Sequence, residues 1–218
     1  TGYSERDPLS GSDPYSSSKA AADLLTQSWV KSFNLKGVNI ARAGNVIGGG
    51  DWAEDRIIPD CIRSWSQNKL VEIRNPNATR PWQHVLEPLS GYLTLALALQ
   101  SNPKLHGEPF NFGPRTEENH SVLELVKEMS LYWDRVKWKD VSNEPTEFYE
   151  SSLLKLNCAK SLELLSWYST MNFKETIKMT AEWYKFCYSE KENMRRFSES
   201  QIELYQEKAR ALGFQWAL

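Results

Sequence analysis

Tyr15 and Lys19 stand four residues apart in the stretch Asp13-Pro14-Tyr15-Ser16-Ser17-Ser18-Lys19. On a helix that spacing puts both side chains on one face, one turn from each other. An ammonium held beside a phenol favours the phenolate, which makes a tyrosine usable as a base near neutral pH. The pair is weakly specific by itself. In a chain with 9 Tyr among 218 residues, chance places roughly one such spacing with a lysine, and a solvated surface pair explains it equally well. Its meaning depends on what stands downstream.

Three arginines downstream, Arg56, Arg74 and Arg80, come from separate elements close together in the chain. Guanidinium forks match phosphate oxygens bidentately. The glycine-rich stretch Gly44 to Asp51 follows a short apolar run and carries Gly48, Gly49 and Gly50. Ligands of parallel sheets sit beyond the carboxyl ends of strands. Loop and arginines together point to a bound phosphate ester, although a single arginine more often ends in a surface ion pair. Asn45 and Asn111 each stand at an expected strand end. There an amide can hydrogen-bond a diphosphate or sugar hydroxyl, or simply form a turn.

The elements that must position these groups follow from period and punctuation. Proline at 14 disfavours helix in the residue before it, and Leu24, Leu25, Trp29 and Phe33 then recur at helical spacing. A helix is predicted from Tyr15 to Phe33, then a strand from Val38 to Ala43 that enters the glycine-rich loop. Helix, turn and strand in this order are the grammar of a parallel α/β unit. Further on, the pattern predicts helices from Arg56 to Gln67 and from Glu87 to Gln100, the latter well buried. Extended segments are predicted at Val71–Arg74, Arg80–Val85, Pro109–Gly113, Val136–Trp138 and Leu153–Leu156. Ser121 with Glu124 reads as a capping box. Asn157 is expected to cap a helix from Cys158 to Leu165, and Asn172 one from Phe173 to Ser189. Ser198 with Gln201 is expected to open a last helix that stops at Gly213.

Composition narrows the class. The net charge is −2, which gives no electrostatic reason to expect nucleic acid or an anionic membrane. No apolar stretch approaches the length of a membrane span. Cys61, Cys158 and Cys187, and His84, His106 and His120, are scattered and fit no metal spacing, so no metal is expected. Reduced thiols in the cytoplasm are the expectation.

The longer runs carry a resemblance. Tyr15-x-x-x-Lys19, Arg42-Ala43-Gly44-Asn45-Val46-Ile47-Gly48-Gly49-Gly50-Asp51-Trp52, Ile73-Arg74-Asn75-Pro76, Arg80-Pro81-Trp82-Gln83-His84-Val85 and Asn111-Phe112-Gly113-Pro114-Arg115 occur in this order. Together they resemble the extended short-chain dehydrogenase/reductases and, within these, the CDP-glucose 4,6-dehydratases, over about residues 2–188. The resemblance implies an α/β fold: the carboxyl-terminal part of a Rossmann-type parallel sheet plus a small mixed α/β substrate-binding domain. It implies NAD as cofactor, CDP-glucose as substrate and a homo-oligomer. Tyr15 would take the proton of the sugar 4-hydroxyl, and Lys19 and Arg42 would lie at the cofactor with it. Asn45, Arg56, Ile73, Arg74, Arg80 and Asn111 would contact the sugar nucleotide, with Arg80 on the diphosphate.

On this reading residues 1–50 belong to the NAD-binding domain, 51–192 mainly to the sugar-nucleotide domain with one strand returning to the first sheet, and 193–218 to a helical tail. No G-x-x-G-x-x-G loop follows a strand in these residues. The chain is therefore expected to be a carboxyl-terminal portion, inactive alone. Leu153 and Asn157 replace the tyrosine and aspartate that the family tends to have. The alternatives are a non-catalytic sugar-nucleotide-binding or protein-interaction fragment, or another extended-family epimerase or dehydratase.

Overall fold

The computed structural model describes residues 2–143 and 154–218. Helix α1 (Pro14–Phe33) opens on Asp13, whose carboxylate accepts the Ser16 backbone N–H while the Ser16 hydroxyl returns to the Asp13 N–H. Such a cap is worth about 1 kcal/mol. Strand β1 (Ile40–Ala43) follows, and then β2 (Asn45–Ile47), where a glycine-rich loop was expected. The chain continues through α2 (Ile57–Ser66), β3 (Val71–Ile73), β4 (Thr79–Arg80), β5 (Trp82–His84) and α3 (Leu86–Ser101). After these come β6 (Pro109–Phe112), β7 (His120–Ser121), α4 (Val122–Met129) and β8 (Trp138–Asp140). Helices α5 (Ala159–Leu165), α6 (Phe173–Ser189) and α7 (Met194–Ala211) complete the chain.

Three strand pairs are parallel: β1 with β6, β2 with β5, and β3 with β8; only β4 and β7 run antiparallel. Helices join these parallel partners, as the geometry of parallel pairing requires. Gly44 lies between the first two pairs. Its N–H donates to the Phe112 carbonyl at 3.0 Å, and the Gln83 amide donates to that same oxygen at 2.9 Å.

Two apolar cores result. One gathers Ile58, Ile62 and Trp65 of α2 with Ile73, Leu125, Met129, Ile177 and Tyr184. The other gathers Phe110 and Phe112 of β6 with Leu95, Trp167, Met179, Tyr205 and Phe214. Burying one such large side chain contributes about 1.5–3 kcal/mol. The tail belongs to the second core. Tyr205 donates to Glu87 at 2.9 Å, the Trp216 indole donates to Ser90 at 3.1 Å, and Lys208 pairs with Glu175.

Several local expectations are corrected. Helix α3 is not well buried: Leu89, Leu93 and Leu97 are exposed along it. Helix α7 begins at Met194 rather than at Ser198, whose hydroxyl donates to the Met194 carbonyl one turn back. The capping-box pattern there is only helical spacing of polar residues. Cys158 holds the N-cap position of α5, and Asn157 reaches past it to accept the Ala159 N–H. Strand β8 lies two residues later than predicted. Leu153 and the start of its expected extended segment fall outside the described residues.

Candidate active site

Tyr15 and Lys19 lie on the first turns of α1, where the Asp13 cap orients the helix start. Tyr15 is 66% exposed. The Lys19 ammonium sits over its ring, 5.5 Å from the centroid. Both residues line an open cavity of about 1180 Å³ that runs along β1 and β2. Asp23, one further turn along the same face, is buried and ion-paired to Arg42 of β1 at 2.7 Å. Arg42 also lines this cavity, but its guanidinium ties strand to helix through Asp23 and through the Glu5 carbonyl. Arg42 thus holds the strand to α1 at the wall of the cavity where it was expected to meet the cofactor.

A second cavity of about 250 Å³ lies next to the first. Asn45, Arg56, Ile73, Arg74 and Arg80, contributed by β2, β3, β4, the residue after β3 and the start of α2, all line it. Asn45, Arg56 and Gly48 line both cavities, so the two are contiguous. Arg56 and Arg74 are exposed and make no ion pair among the described residues. Arg80 is buried, and its guanidinium donates to the Thr79 carbonyl at 2.8 Å.

Asn111 is a correction. It lines neither cavity. At 1% exposure its amide donates to the carbonyls of Tyr3 and Asn157, each at 3.0 Å. Its backbone N–H donates to the Glu5 carboxylate at 2.8 Å. Its amide nitrogen thus fastens the amino-terminal segment, while its Oδ1 is buried with no hydrogen-bond partner among the described residues.

The glycines between the cavities are needed for close approach. A Cβ on Gly49 would stand 1.9 Å from the Trp183 ring, and one on Gly48 would stand 2.9 Å from Val85. Gly50 adopts a left-handed φ of 85°. The stretch therefore lies packed against Trp183 of α6, with Gly48 on the wall of both cavities. Beneath it, burial pushes the His84 imidazole down to about 4, so the ring is neutral at ordinary pH. Its Nδ1 accepts the Leu86 N–H at 3.3 Å.

Sequence reasoning missed the acids of the smaller cavity: Asp51, Asp55, Asp60 and Glu72 line it among the arginines. The signal was available at Glu72, because alternation in Val71-Glu72-Ile73 buries the flanking residues and turns the glutamate away from them.

Paired parallel strands with flanking helices, and cavities beside the strands, define a Rossmann-type α/β protein whose first helix carries Tyr15 and Lys19 one turn apart. The chain belongs to the NAD dependent epimerase/dehydratase family, whose pattern matches residues 1–113. It is 44% identical over 194 residues to the CDP-glucose 4,6-dehydratase of Salmonella typhimurium, covering 84% of this chain and 53% of that enzyme. It is 27% identical to the human dTDP-D-glucose 4,6-dehydratase, covering 84% of this chain and 51% of that one. The chain spans about half the length of these curated relatives.

Among solved structures it superposes on the UDP-glucose-4-epimerase of Stenotrophomonas maltophila, which has bound NAD and a formylated UDP-arabinopyranose. The TM-score is 0.72 at 17% identity, over 84% of this chain and 58% of that one. The dTDP-glucose 4,6-dehydratase of Bacillus anthracis in complex with NAD gives a TM-score of 0.64 at 21% identity, over 85% and 56%. Both likenesses are of fold.

Proposed function

We propose that this chain forms the catalytic-base and sugar-nucleotide-binding portion of an enzyme that converts CDP-glucose to CDP-4-keto-6-deoxyglucose. One observation carries the reading. The cavity lined by Asn45, Arg56, Ile73, Arg74 and Arg80 runs into the cavity that holds Tyr15 and Lys19. A diphosphate gripped by guanidinium groups in the smaller space leaves its sugar reaching toward the phenol in the larger one. The identity to the Salmonella enzyme supports CDP-glucose as the substrate.

Within this reading Tyr15 removes the proton of the 4-hydroxyl, and the Lys19 charge stabilises the phenolate that does so. Arg80 is buried and strand-anchored, and holds the diphosphate rigidly enough to position the sugar. Tyr15 and Lys19 fit the ribose and nicotinamide end of NAD, since both face open space large enough for it. NAD, when bound, supplies the acceptor for the hydride leaving the sugar. Residues 1–50 act as part of the NAD-binding domain, 51–192 as the sugar-nucleotide domain, and 193–218 as a tail. No helix of the described residues is long and apolar enough to cross a membrane. All three cysteines are free, which suits a reducing compartment such as the cytoplasm.

Calorimetric titration of the chain with CDP tests the binding half of this reading. The expected result is saturable binding that Arg80→Ala weakens at least about tenfold, the loss of one charge-assisted contact. Absence of binding, or equal binding by the variant, refutes it. Added NAD and CDP-glucose are expected to give no turnover with this chain alone, because no dinucleotide fingerprint follows a strand in it.

A second reading, a non-catalytic fragment that associates with another chain, has one observation in its favour. The outer edge of β1 has no strand partner among the described residues. Leu24, Leu25, Trp29 and Phe33 of α1 are exposed as well.

A further inference from the structure

We propose that Glu72 selects the nucleobase by accepting a hydrogen bond from the 4-amino group of cytosine. The inference rests on the reading of the smaller cavity as a sugar-nucleotide site and adds the residue that chooses among nucleotides.

The starting point is a misfit. A cavity built to take a diphosphate gains nothing from carboxylates, which repel it. Four of them nevertheless line this one. Asp60 is committed to an ion pair with Arg63. Asp51 accepts the Ala53 N–H at 3.0 Å within its own turn. Asp55 sits on the exposed turn ahead of α2, at a left-handed φ of 60°.

Glu72 differs from these three. It is held on strand β3, between buried Val71 and Ile73, and the parallel pairing with β8 fixes its backbone. It is exposed, is among the residues that line the cavity, and makes no hydrogen bond or ion pair among the described residues. Lys139 stands opposite it in the strand register, yet no ion pair joins the two.

An unspent carboxylate in a nucleotide cavity calls for a donor on the ligand. A CDP-sugar offers one that its relatives lack. Cytosine presents a 4-amino donor, and a carboxylate accepting from that amine is a recurring pairing. Uracil and thymine present a carbonyl oxygen at the same place. That oxygen would face Glu72 acceptor to acceptor, leaving both groups without a partner. The same side chain therefore attracts one base and disfavours the other two. Its position on a strand makes this choice precise in geometry, because a loop carboxylate can swing away.

The test compares binding of CDP, UDP and dTDP to the chain and to its Glu72→Ala and Glu72→Gln variants. The wild-type chain is expected to bind CDP at least about tenfold more tightly than UDP or dTDP, the worth of one charge-assisted hydrogen bond. Glu72→Ala should weaken CDP by roughly that factor and leave UDP within about threefold, so that the ratio falls toward one. Glu72→Gln should raise UDP above the alanine variant, because its amide can turn a donor toward the carbonyl oxygen. Circular dichroism establishes that each variant is folded; the conservative glutamine variant keeps the side-chain size.

An unchanged CDP-to-UDP ratio in Glu72→Ala overturns the assignment while leaving the cavity reading intact. Equal loss of both nucleotides does the same. No binding of any nucleotide by the wild-type chain overturns the reading of the cavity itself. A wild-type preference for UDP or dTDP overturns the choice of CDP.

Discussion

At the scale of single residues, the site depends on groups whose neighbours define what they can do. Arg42, Arg56 and Arg80 are chemically identical, yet Asp23 takes up the first, the second stands open to two cavities, and burial immobilises the third. Gly49 is a sharper case. Its Cβ would overlap the Trp183 ring, so Gly49→Ala must push a packed aromatic side chain aside. We expect a loss of about 1–3 kcal/mol in unfolding free energy, measured by urea denaturation. Gly37→Ala is the contrast. It meets no atom within 4 Å, and only its left-handed φ of 73° opposes the change, at about 1 kcal/mol. Equal losses at the two glycines would show that Trp183 does not hold the loop beneath the site.

At the scale of elements, the tail and α3 share a buried acid. Glu87 is fully buried and accepts the backbone N–H groups of Thr170 and Met171 and the hydroxyl of Tyr205. Burial pushes its carboxyl up from 4.5 to about 7, against the pull of those donors. The folded state thus binds the proton more tightly than the unfolded state does. The resulting stability is fully present below about 4.5 and is lost as pH rises through about 7. His84, on the neighbouring strand, has the opposite sign. Its folded value of about 4 lies below 6.5, so its contribution is complete above 6.5 and is lost as pH falls toward 4.

Each shift corresponds to about 3 kcal/mol at most, and between 4.5 and 6.5 the two offset each other. Glu87→Gln removes one of them. The variant is expected to lose stability steeply on acidification below pH 6.5 and to lose the wild-type decline above it. Denaturant titrations at a series of pH values check both slopes; parallel profiles for wild type and variant would contradict the assignment.

At the scale of the whole molecule, the two cores are covered unevenly. The first is enclosed by α2, α4 and α6. Beside the second, β1 keeps an open edge with Ala41 and Ala43 exposed, and the outer faces of α1 and α3 show Leu24, Leu25, Trp29, Leu93 and Leu97 to solvent. An apolar surface of that kind next to a strand with one open edge favours association. Sedimentation velocity at micromolar concentration is expected to show species larger than a monomer. Replacing Leu25 and Trp29 by serine should shift them toward monomer. A wild-type chain that sediments as a monomer and binds no apolar dye would remove the support for a partner on this face.

Short-range chemistry was legible in the sequence. The caps at Ser121 and Asn172, the helical face shared by Tyr15 and Lys19, and the stop at Gly213 all depend on neighbours within a few residues. The family-like runs were legible for the same reason, since each is a contiguous string. Tertiary structure alone decided which arginine faces a cavity and which is tied to the scaffold, because Asp23 and Arg42 meet across 19 positions of chain. It decided that Asn111 serves as a fastener, because Tyr3 lies 108 positions away. It decided that the tail closes on Glu87, 118 positions before Tyr205. Contacts of that separation are set by the path of the strands through space, and no local pattern of side chains encodes them.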